Sequence, residues 1–516
     1  ANADGSVEVN VKDDTQSIDI VHANVKNVFS VTTAGDVRFT SDINIPIADG
    51  IVKAASVNVD DAAKIVLAGA NIAADAGNVD FMASNNMTLE GDNKISASGD
   101  AIFRADIFGD GSLDITAANI GFTGELVNLW GSDTKITATA NTLGIAPRYF
   151  RANVIDLSGV NQVVLNNENV YIGASKLTIN NVLPGIAKDE DGNDVEILSD
   201  LHLAGDDQLV LGGDVRAQNI VIDGDAIVLQ NDISIIAESG SDENKVYGGV
   251  TLGNIEGDVS YITGTHDLTV RGGNIDILSV VDVKNLSITA KASSMEIDGE
   301  VLELPGDVRL LDYGITMSAS NDLIIDADGD IILNNSTFEN PDENVFNDIY
   351  AGNNLVLTGN NVTVAGGVAA GNGFTVTAAE TATINASKLD NGVINAGSIV
   401  LGEKNEGEGL AIGQNGDVLF NSENVTVTNG TDVAASFGKP DVFADIDADT
   451  LIVNNATNLS LDVNAAKLAV ANADGSVEVN VKDDTQSIDI VHANVKNVFS
   501  VTTAGDVRFT SDINIP

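Results

Sequence analysis

The sequence predicts an all-β protein folded as an elongated parallel β-helix, that is, a β-solenoid. Three observations support this fold class. Short stretches in which aliphatic and polar residues alternate recur about 7 to 11 residues apart; no amphipathic helical period lies between them; and aromatic residues and proline are scarce. Because 43% of the 516 residues are hydrophobic, the chain has enough aliphatic side chains to bury a core.

The alternating stretches carry an aliphatic residue at every second position and are flanked by Asn, Asp or Gly. Alternation over so few residues indicates short strands with one buried face, and the flanking residues favour turns. Examples in chain order are Gly111-Ser112-Leu113-Asp114-Ile115, Asn219-Ile220-Val221-Ile222, His266-Asp267-Leu268-Thr269-Val270, Asn285-Leu286-Ser287-Ile288, Asn353-Asn354-Leu355-Val356-Leu357 and Asn360-Asn361-Val362-Thr363-Val364.

A tandem array of β-sandwich domains is the alternative fold. Sandwich domains usually contain a core Trp and loop prolines, whereas this chain has one Trp and seven Pro. A solenoid requires uninterrupted hydrogen bonding between its coils, which proline would break. The composition therefore favours the solenoid.

Residues 1–46 recur without a change as residues 471–516. We interpret residues 1–470 as one β-solenoid repeat unit and residues 471–516 as the start of the next repeat unit or subunit. Near-identical tandem repeats in a giant polypeptide, a helical assembly of 470-residue subunits and an artificial duplication would each produce this pattern. The alternating rhythm is broken near residues 184–200 and 335–350, where we expect projecting loops.

The charge balance excludes several partners. Acidic residues number 76 against 25 basic ones, so the net charge is −51 and the isoelectric point is about 4.1. Such a chain repels nucleic acid and anionic membrane surfaces, and no apolar run is long enough for membrane insertion. Cysteine is absent, so any metal must be held by oxygen. Acidity with abundant Gly, Asp and Asn fits an extracellular or cell-surface location.

Several stretches resemble the large secreted adhesins of the filamentous-haemagglutinin type. The resemblance is one of repeat texture and lies in segments such as Asn85-Asn86-Met87-Thr88-Leu89, Gly111-Ser112-Leu113-Asp114-Ile115-Thr116 and Asn285-Leu286-Ser287-Ile288-Thr289. It implies a right-handed parallel β-helix displayed outside a bacterial cell. The Asn-Pro-Asn-Leu secretion signature of that family does not occur in this sequence.

Three acidic clusters are candidate Ca²⁺ sites. Carboxylates at every second position of an extended segment point to one side, and Ca²⁺ takes oxygen ligands at about 2.3–2.6 Å. None fits an EF-hand, because Gly192 and Gly329 occupy the fourth position of their loops, not the sixth. Solvated Asp-Gly turns are the alternative interpretation. The proposed metal ligands are Asp189, Asp191 and Asn193, then Asp326, Asp328 and Asp330, and finally Asp445, Asp447 and Asp449.

The sequence carries no nucleophile elbow, zinc-protease motif or phosphate-binding loop, so we expect no catalytic activity. A β-helix polysaccharide lyase would need a cation beside its acid–base groups. The segment Arg148-Tyr149-Phe150-Arg151 holds the only close arginine pair and is where such a site is expected. No second candidate ligand lies at helical or hairpin spacing from His22, His202 or His266, which favours surface residues.

The function expected from these patterns is structural. The chain would be a subunit or repeat of an extracellular fibre or adhesin that assembles end to end with copies of itself, with burial of Val7 and Val9 against a preceding unit that ends at Leu468 and Val470. A calcium-dependent carbohydrate-binding surface protein, with a cell-surface or polysaccharide ligand, is the alternative. A β-helix polysaccharide lyase is a further alternative.

Overall fold

The computed structural model describes residues 2–11, 17–33, 35–40, 51–189, 191–240, 245–254, 260–297, 300–311, 316–333, 349–366, 368–386, 388–389, 392–403, 411–412, 418–427, 444–453, 459–473, 475–481, 487–511 and 513–514. These residues form strands, turns and bends, and no helix occurs among them. Within the same residues there is accordingly no helix long and apolar enough to cross a membrane.

The first twenty-seven strands in chain order are β1 (Asn2–Ala3), β2 (Val7–Asn10), β3 (Ile18–Ile20), β4 (Ala23–Val25), β5 (Val28–Thr32), β6 (Asp36–Thr40), β7 (Ile51–Ala54), β8 (Ser56–Ala68), β9 (Asn71–Ala74), β10 (Val79–Glu90), β11 (Asp92–Ala97), β12 (Ala101–Gly109), β13 (Ser112–Thr116), β14 (Asn119–Phe122), β15 (Leu126–Leu129), β16 (Lys135–Ile145), β17 (Tyr149–Arg151), β18 (Val154–Leu165), β19 (Asn169–Ile179), β20 (Asn181–Pro184), β21 (Ile186–Lys188), β22 (Asp194–Glu196), β23 (Asp200–Leu211), β24 (Val215–Ala217), β25 (Asn219–Gly224), β26 (Ala226–Leu229) and β27 (Ile233–Ser239).

The remaining strands of the described residues are β28 (Val246–Tyr247), β29 (Val250–Gly253), β30 (Ser260–Thr263), β31 (Asp267–Gly272), β32 (Ile275–Val283), β33 (Asn285–Ala290), β34 (Ser293–Ile297), β35 (Glu300–Leu304), β36 (Val308–Leu310), β37 (Met317–Ala319), β38 (Leu323–Ala327), β39 (Ile331–Leu333), β40 (Ile349–Ala351), β41 (Asn354–Gly359), β42 (Val362–Ala365), β43 (Val368–Ala370), β44 (Gly373–Ala386), β45 (Lys388–Leu389), β46 (Gly392–Glu403), β47 (Ala411–Ile412), β48 (Val418–Val427), β49 (Ala444–Val453), β50 (Leu459–Ala473), β51 (Val477–Val481), β52 (Ile488–Val495), β53 (Phe499–Thr502), β54 (Val507–Phe509) and β55 (Ile513–Asn514).

The strands pair in parallel with strands about one coil further along the chain. Ile95 of β11 pairs with Ile115 of β13, and Ile115 pairs with Ala138 of β16. Hydrogen bonds between neighbouring coils join residues 19 apart at Asn219 and Asp200 and 37 apart at Asp322 and Asn285, so coil length varies. Each coil is therefore a short turn of chain stacked on the one before it, and the predicted parallel β-helix is confirmed.

Alternation of side chains places the core inside the coils. Along β12 every second residue is buried, and Phe103 is among the largest fully buried side chains. Its ring lies 6.1 Å from Phe81 and 5.1 Å from Phe122, centroid to centroid. The core is thus a set of aliphatic and aromatic ladders that run from coil to coil, as period-two alternation in a parallel stack requires.

The chain divides into two compact units. One comprises Ala1–Val246 with Gly253–Ser260, and the other comprises Tyr247–Leu252 with Tyr261–Pro516. Each is built from stacked parallel coils.

Two antiparallel hairpins depart from the parallel pattern. Strands β21 and β22 pair through Ala187 and Val195, within the segment 184–200 that the sequence predicts as a loop. Strands β34 and β35 form a second hairpin, in which Met295 pairs with Leu302. Of the predicted loop at 335–350, only Ile349 and Tyr350 belong to the described residues, and both are part of β40.

Candidate functional site

Three ring side chains project outward from successive coils of the first unit. Tyr149 of β17 pairs with Tyr171 of β19, and Tyr171 pairs with His202 of β23. Their neighbours Val170 and Leu201 point inward and are buried. Parallel strands in register place equivalent side chains in one line, about 4.8 Å apart. We refer to Tyr149, Tyr171 and His202 as the ring ladder.

The rings of the ladder support one another and remain partly open to solvent. The centroids of Tyr149 and Tyr171 are 6.1 Å apart at an interplanar angle of 51°. His202 meets Tyr171 edge-on, at 4.8 Å and 78°. Tyr149 is 37% exposed. The ladder is therefore a preformed aromatic surface and not part of the core.

Two arginines lie against these rings. The guanidinium carbon of Arg151 is 4.3 Å from the ring centroid of Tyr171 and 5.2 Å from that of Tyr149. The guanidinium carbon of Arg148 is 5.6 Å from the centroid of Tyr149. Within the described residues neither arginine makes an ion pair with a carboxylate, whereas four other arginines do. Each guanidinium is thus held against a tyrosine ring by cation–π contact.

Gly173 makes room for the ring of Tyr171. A Cβ atom at this glycine would stand 2.3 Å from Cε1 and 2.6 Å from the hydroxyl oxygen of Tyr171. The tyrosine ring therefore lies along its own strand, over the glycine. Burial raises the pKa of Tyr171, with a further contribution from the nearby carboxylates of Asp206 and Asp223. The nearby guanidinium of Arg151 acts in the opposite direction and lowers this pKa.

His202 forms one end of the ladder and lies beside a carboxylate. Its Nε2 atom lies 3.5 Å from Oδ2 of Asp223, and that nitrogen is buried without a hydrogen-bond partner among the described residues. Its side chain is 32% exposed, so His202 lies at the surface, but it is not isolated there. It faces a carboxylate and an aromatic ring, both supplied by other coils.

A group of carboxylates borders the ladder. The pKa of Asp206 is raised because the surrounding protein partly removes its carboxyl from water and because Asp223, Asp207 and Asp225 are close. Asp200, at the start of β23, accepts a hydrogen bond from Asn219 Nδ2 at 2.6 Å. The ladder is therefore bordered both by hydrogen-bond acceptors, the carboxylates of Asp200 and Asp206, and by donors, the guanidinium groups of Arg148 and Arg151.

Two grooves flank Tyr171. One, of about 390 Å³, is lined by Arg148, Tyr149, Asp200, His202 and Asn219 together with Tyr171. The other, of about 470 Å³, is lined by Asn128, Ser132, Arg151, Asn153 and Asp206 together with Tyr171. Both combine ring surface with side chains that donate and accept hydrogen bonds, which is the usual composition of a ligand site.

The predicted Ca²⁺ ligands Asp326 and Asp328 are brought together by a lysine. Nζ of Lys291 lies 3.1 Å from Asp326 and 2.9 Å from Asp328. These hydrogen bonds raise the pKa of Lys291, with Asp328 contributing most. The third member, Asp330, accepts hydrogen bonds from Asn361 instead.

Of the other two acidic clusters, only the one that begins at Asp189 has described side chains. Asp189 accepts hydrogen bonds from the backbone N–H of Asp191, at 3.0 Å, and of Asn193, at 2.7 Å, and its hydrogen bonds with Asn193 are the main reason that its pKa is lowered. Asp445, Asp447 and Asp449 lie in β49, and their side chains are outside the described residues. No group of three or more His, Asp or Glu placed to hold a metal occurs in the described part of the chain. Calcium binding stays a prediction.

Two strand pairs of the repeated segment have the same register in both copies. In the first, Val7 pairs with Phe29 and Ile20 pairs with Phe39. In the second, the equivalent pairs are Val477 with Phe499 and Ile490 with Phe509. The two copies differ in the next coil, because Ala23 pairs with Val52 whereas the equivalent Ala493 pairs with Ile513.

The two copies are covered on opposite sides. In the first copy, β5 and β6 are covered by β8, and Phe39 is 1% exposed. In the second copy, β51 is covered by β50, and Val477 is fully buried. The equivalent Val7 is half-buried, and Phe509 is 59% exposed. One 46-residue segment thus accepts a following coil in one setting and a preceding coil in the other.

The chain is a member of the parallel β-helix class by its stacked coils. No protein-family model matches it, and no match was found among the curated proteins or the solved structures.

Proposed function

We propose that this chain is a structural subunit or repeat of an extracellular fibre or adhesin that extends end to end through copies of itself and has no catalytic activity. The observation that carries the proposal is the pair of settings of the repeated segment. The pair of Val7 with Phe29 recurs as Val477 with Phe499, although β5 lies beneath β8 in the first copy and β51 lies on β50 in the second.

The driving force for extension is burial of the ladder residues. Phe509 is 59% exposed, while its equivalent Phe39 is buried under the next coil. Covering one such ring contributes about 2 kcal/mol. The backbone N–H and C=O groups of β53 and β54 would also gain hydrogen-bond partners if the parallel stack continued.

Charge opposes association and makes it sensitive to salt. A chain with a net charge of −51 repels a second copy, and this repulsion is screened over about 8 Å at physiological ionic strength. End-to-end association should therefore strengthen as sodium chloride is added. The acidic exterior that keeps copies apart laterally also fits a soluble fibre outside a cell.

Sedimentation of the full 516-residue chain tests the assembly. We expect species that grow with protein concentration and with ionic strength. Phe509→Asp should weaken association more than tenfold, because a charge would replace a ring buried at the junction. Ile324→Asp is the matched control, since Ile324 is an apolar side chain 40% exposed on an outward strand face. A single species at every concentration and ionic strength, or equal effects of the two variants, would contradict assembly through the repeated coils.

A further inference from the structure

The ring ladder and its two arginines form a surface feature that the proposed structural role does not use. Rings of Tyr149, Tyr171 and His202 form a continuous outward surface over successive coils. Aromatic rings that are held in place by an adjacent guanidinium lose little freedom when a ligand covers them. A ligand with flat apolar faces would fit this surface.

The polar groups around the rings define the rest of the ligand. Arg148 and Arg151 offer N–H donors without an ion-pair partner in the described residues. Asp200 and Asp206 offer acceptors on the borders of the two grooves. Donors and acceptors side by side suit hydroxyl groups, because each hydroxyl donates one hydrogen bond and accepts two.

The charges exclude an anionic ligand. Two arginines face three carboxylates in and beside the grooves, those of Asp200, Asp206 and Asp223. The whole chain adds a net charge of −51. A polyanion would be repelled both at the site and at long range.

We propose that the ring ladder binds a neutral oligosaccharide, with pyranose rings packed on Tyr149 and Tyr171 and with hydroxyl groups hydrogen-bonded to Arg148, Arg151 and the bordering carboxylates. The grooves on either side of Tyr171 have volumes of about 390 and 470 Å³, so the site accommodates more than one sugar ring.

The test uses the full chain and immobilised neutral glucans, mannans and galactans, with polygalacturonate as the acidic probe. We expect binding to at least one neutral glycan. The corresponding free oligosaccharide is then titrated calorimetrically against the wild-type chain and its variants. Tyr171→Ala and Tyr149→Ala should each weaken binding by about tenfold or more, as expected for loss of a stacked ring.

Tyr350→Ala is the matched control, because Tyr350 is a tyrosine 48% exposed on strand β40, outside the ladder. It should leave affinity unchanged. Tyr149 is itself exposed, so its variant keeps the test decisive if Tyr171→Ala fails to fold. Absence of binding to every neutral glycan, binding to polygalacturonate alone, or equal affinities of the wild type and both ladder variants would overturn the proposal. Sedimentation and sugar binding are separate measurements, so this proposal and end-to-end assembly can fail independently.

Discussion

At the scale of single residues, glycines set how closely neighbouring coils approach. Gly109 ends β12 with a φ of 143°, a conformation that L residues with a side chain rarely adopt. A Cβ atom there would stand 2.1 Å from the carbonyl oxygen of Leu89 on the preceding coil. At Gly121 of β14, in contrast, a Cβ atom would meet nothing within 4 Å.

These two glycines give a matched pair of substitutions. Gly109→Ala should lower the free energy of unfolding by about 2 kcal/mol or more, from backbone strain and the clash with Leu89. Gly121→Ala should leave it unchanged or raise it by up to about 1 kcal/mol, because alanine restricts the unfolded chain. Denaturant unfolding followed by circular dichroism measures both. Equal effects would contradict the coil contact inferred at Gly109.

Asp206 gives a prediction of pH dependence. Its folded-state pKa is raised above its ordinary value, by partial desolvation first and by Asp223 second. The folded state therefore binds this proton more tightly than the unfolded state does, and the associated stability is lost as pH rises through the raised pKa. Asp206→Asn should be at least as stable as the wild type at neutral pH, and its advantage should shrink in acid.

Melting temperatures of the wild type and of Asp206→Asn, measured from neutral pH into acid, test this prediction. Asp114→Asn, at an exposed position of β13, is the control for loss of one negative charge. An Asp206→Asn variant that is less stable than the wild type at neutral pH, or whose advantage grows in acid, would contradict the assignment.

The site was only partly predictable from sequence. The close pair Arg148 and Arg151 beside Tyr149 was visible, but their association with Tyr171 and His202 was not. Coil length varies, because the hairpin of β21 and β22 lies between β19 and β23. No fixed spacing therefore reveals that these rings are in line. In the same way, Lys291 lies 35 residues from Asp326, so no local pattern indicates their contact.

At the scale of elements, the internal ladders hold the coils together. Phe103 of β12 is buried between Phe81 and Phe122 on neighbouring coils. Phe108, on the same strand, is half-buried and faces outward against Trp130 at 6.2 Å. One strand therefore presents a core phenylalanine and a surface phenylalanine.

Phe103→Ala should destabilise the chain by about 3–5 kcal/mol, the range for phenylalanine truncation in a packed core. Phe108→Ala should have an effect of about 1 kcal/mol or less. Thermal and denaturant unfolding measure both variants. A larger effect at Phe108 than at Phe103 would contradict the assignment of inside and outside along β12.

The strands themselves were largely predictable, because a buried face every second residue leaves a direct signal in sequence. Asn285-Leu286-Ser287-Ile288 alternates in sequence and in burial, as β33 shows. The second hairpin was not predicted. Ser293–Ile297 and Glu300–Leu304 also contain aliphatic residues at intervals of two, and alternation alone does not distinguish an antiparallel hairpin from two parallel coils.

At the scale of the whole molecule, charge opposes the compact state. A net charge of −51 stores repulsion that added salt screens. The melting temperature should therefore rise with sodium chloride and level off once the charges are screened. A melting temperature that is unchanged or falls would contradict this.

Calcium chloride and magnesium chloride, compared at equal ionic strength, separate charge screening from specific binding of calcium. A stabilisation that is larger with calcium would support the Asp clusters as ligands, and equal effects would count against them.

End-to-end extension requires that the repeated segment continue one stack of coils into the next. In the 516-residue chain, β5 and β6 pair with strands on both sides, whereas β53 and β54 pair on one side among the described residues. Alternate backbone amides of a parallel strand point to opposite neighbours. Those of β53 and β54 that face away from β51 and β52 are thus expected to exchange rapidly with solvent.

Hydrogen exchange on a two-repeat chain, with residues 1–470 followed by residues 1–516, measures continuation most directly. We predict that the amides of the central Phe499–Thr502 and Val507–Phe509 strands become as protected as those of Val28–Thr32 and Asp36–Thr40 in the first copy. Amides of the central copy that exchange as fast as they do in the single chain would contradict continuation of the stack.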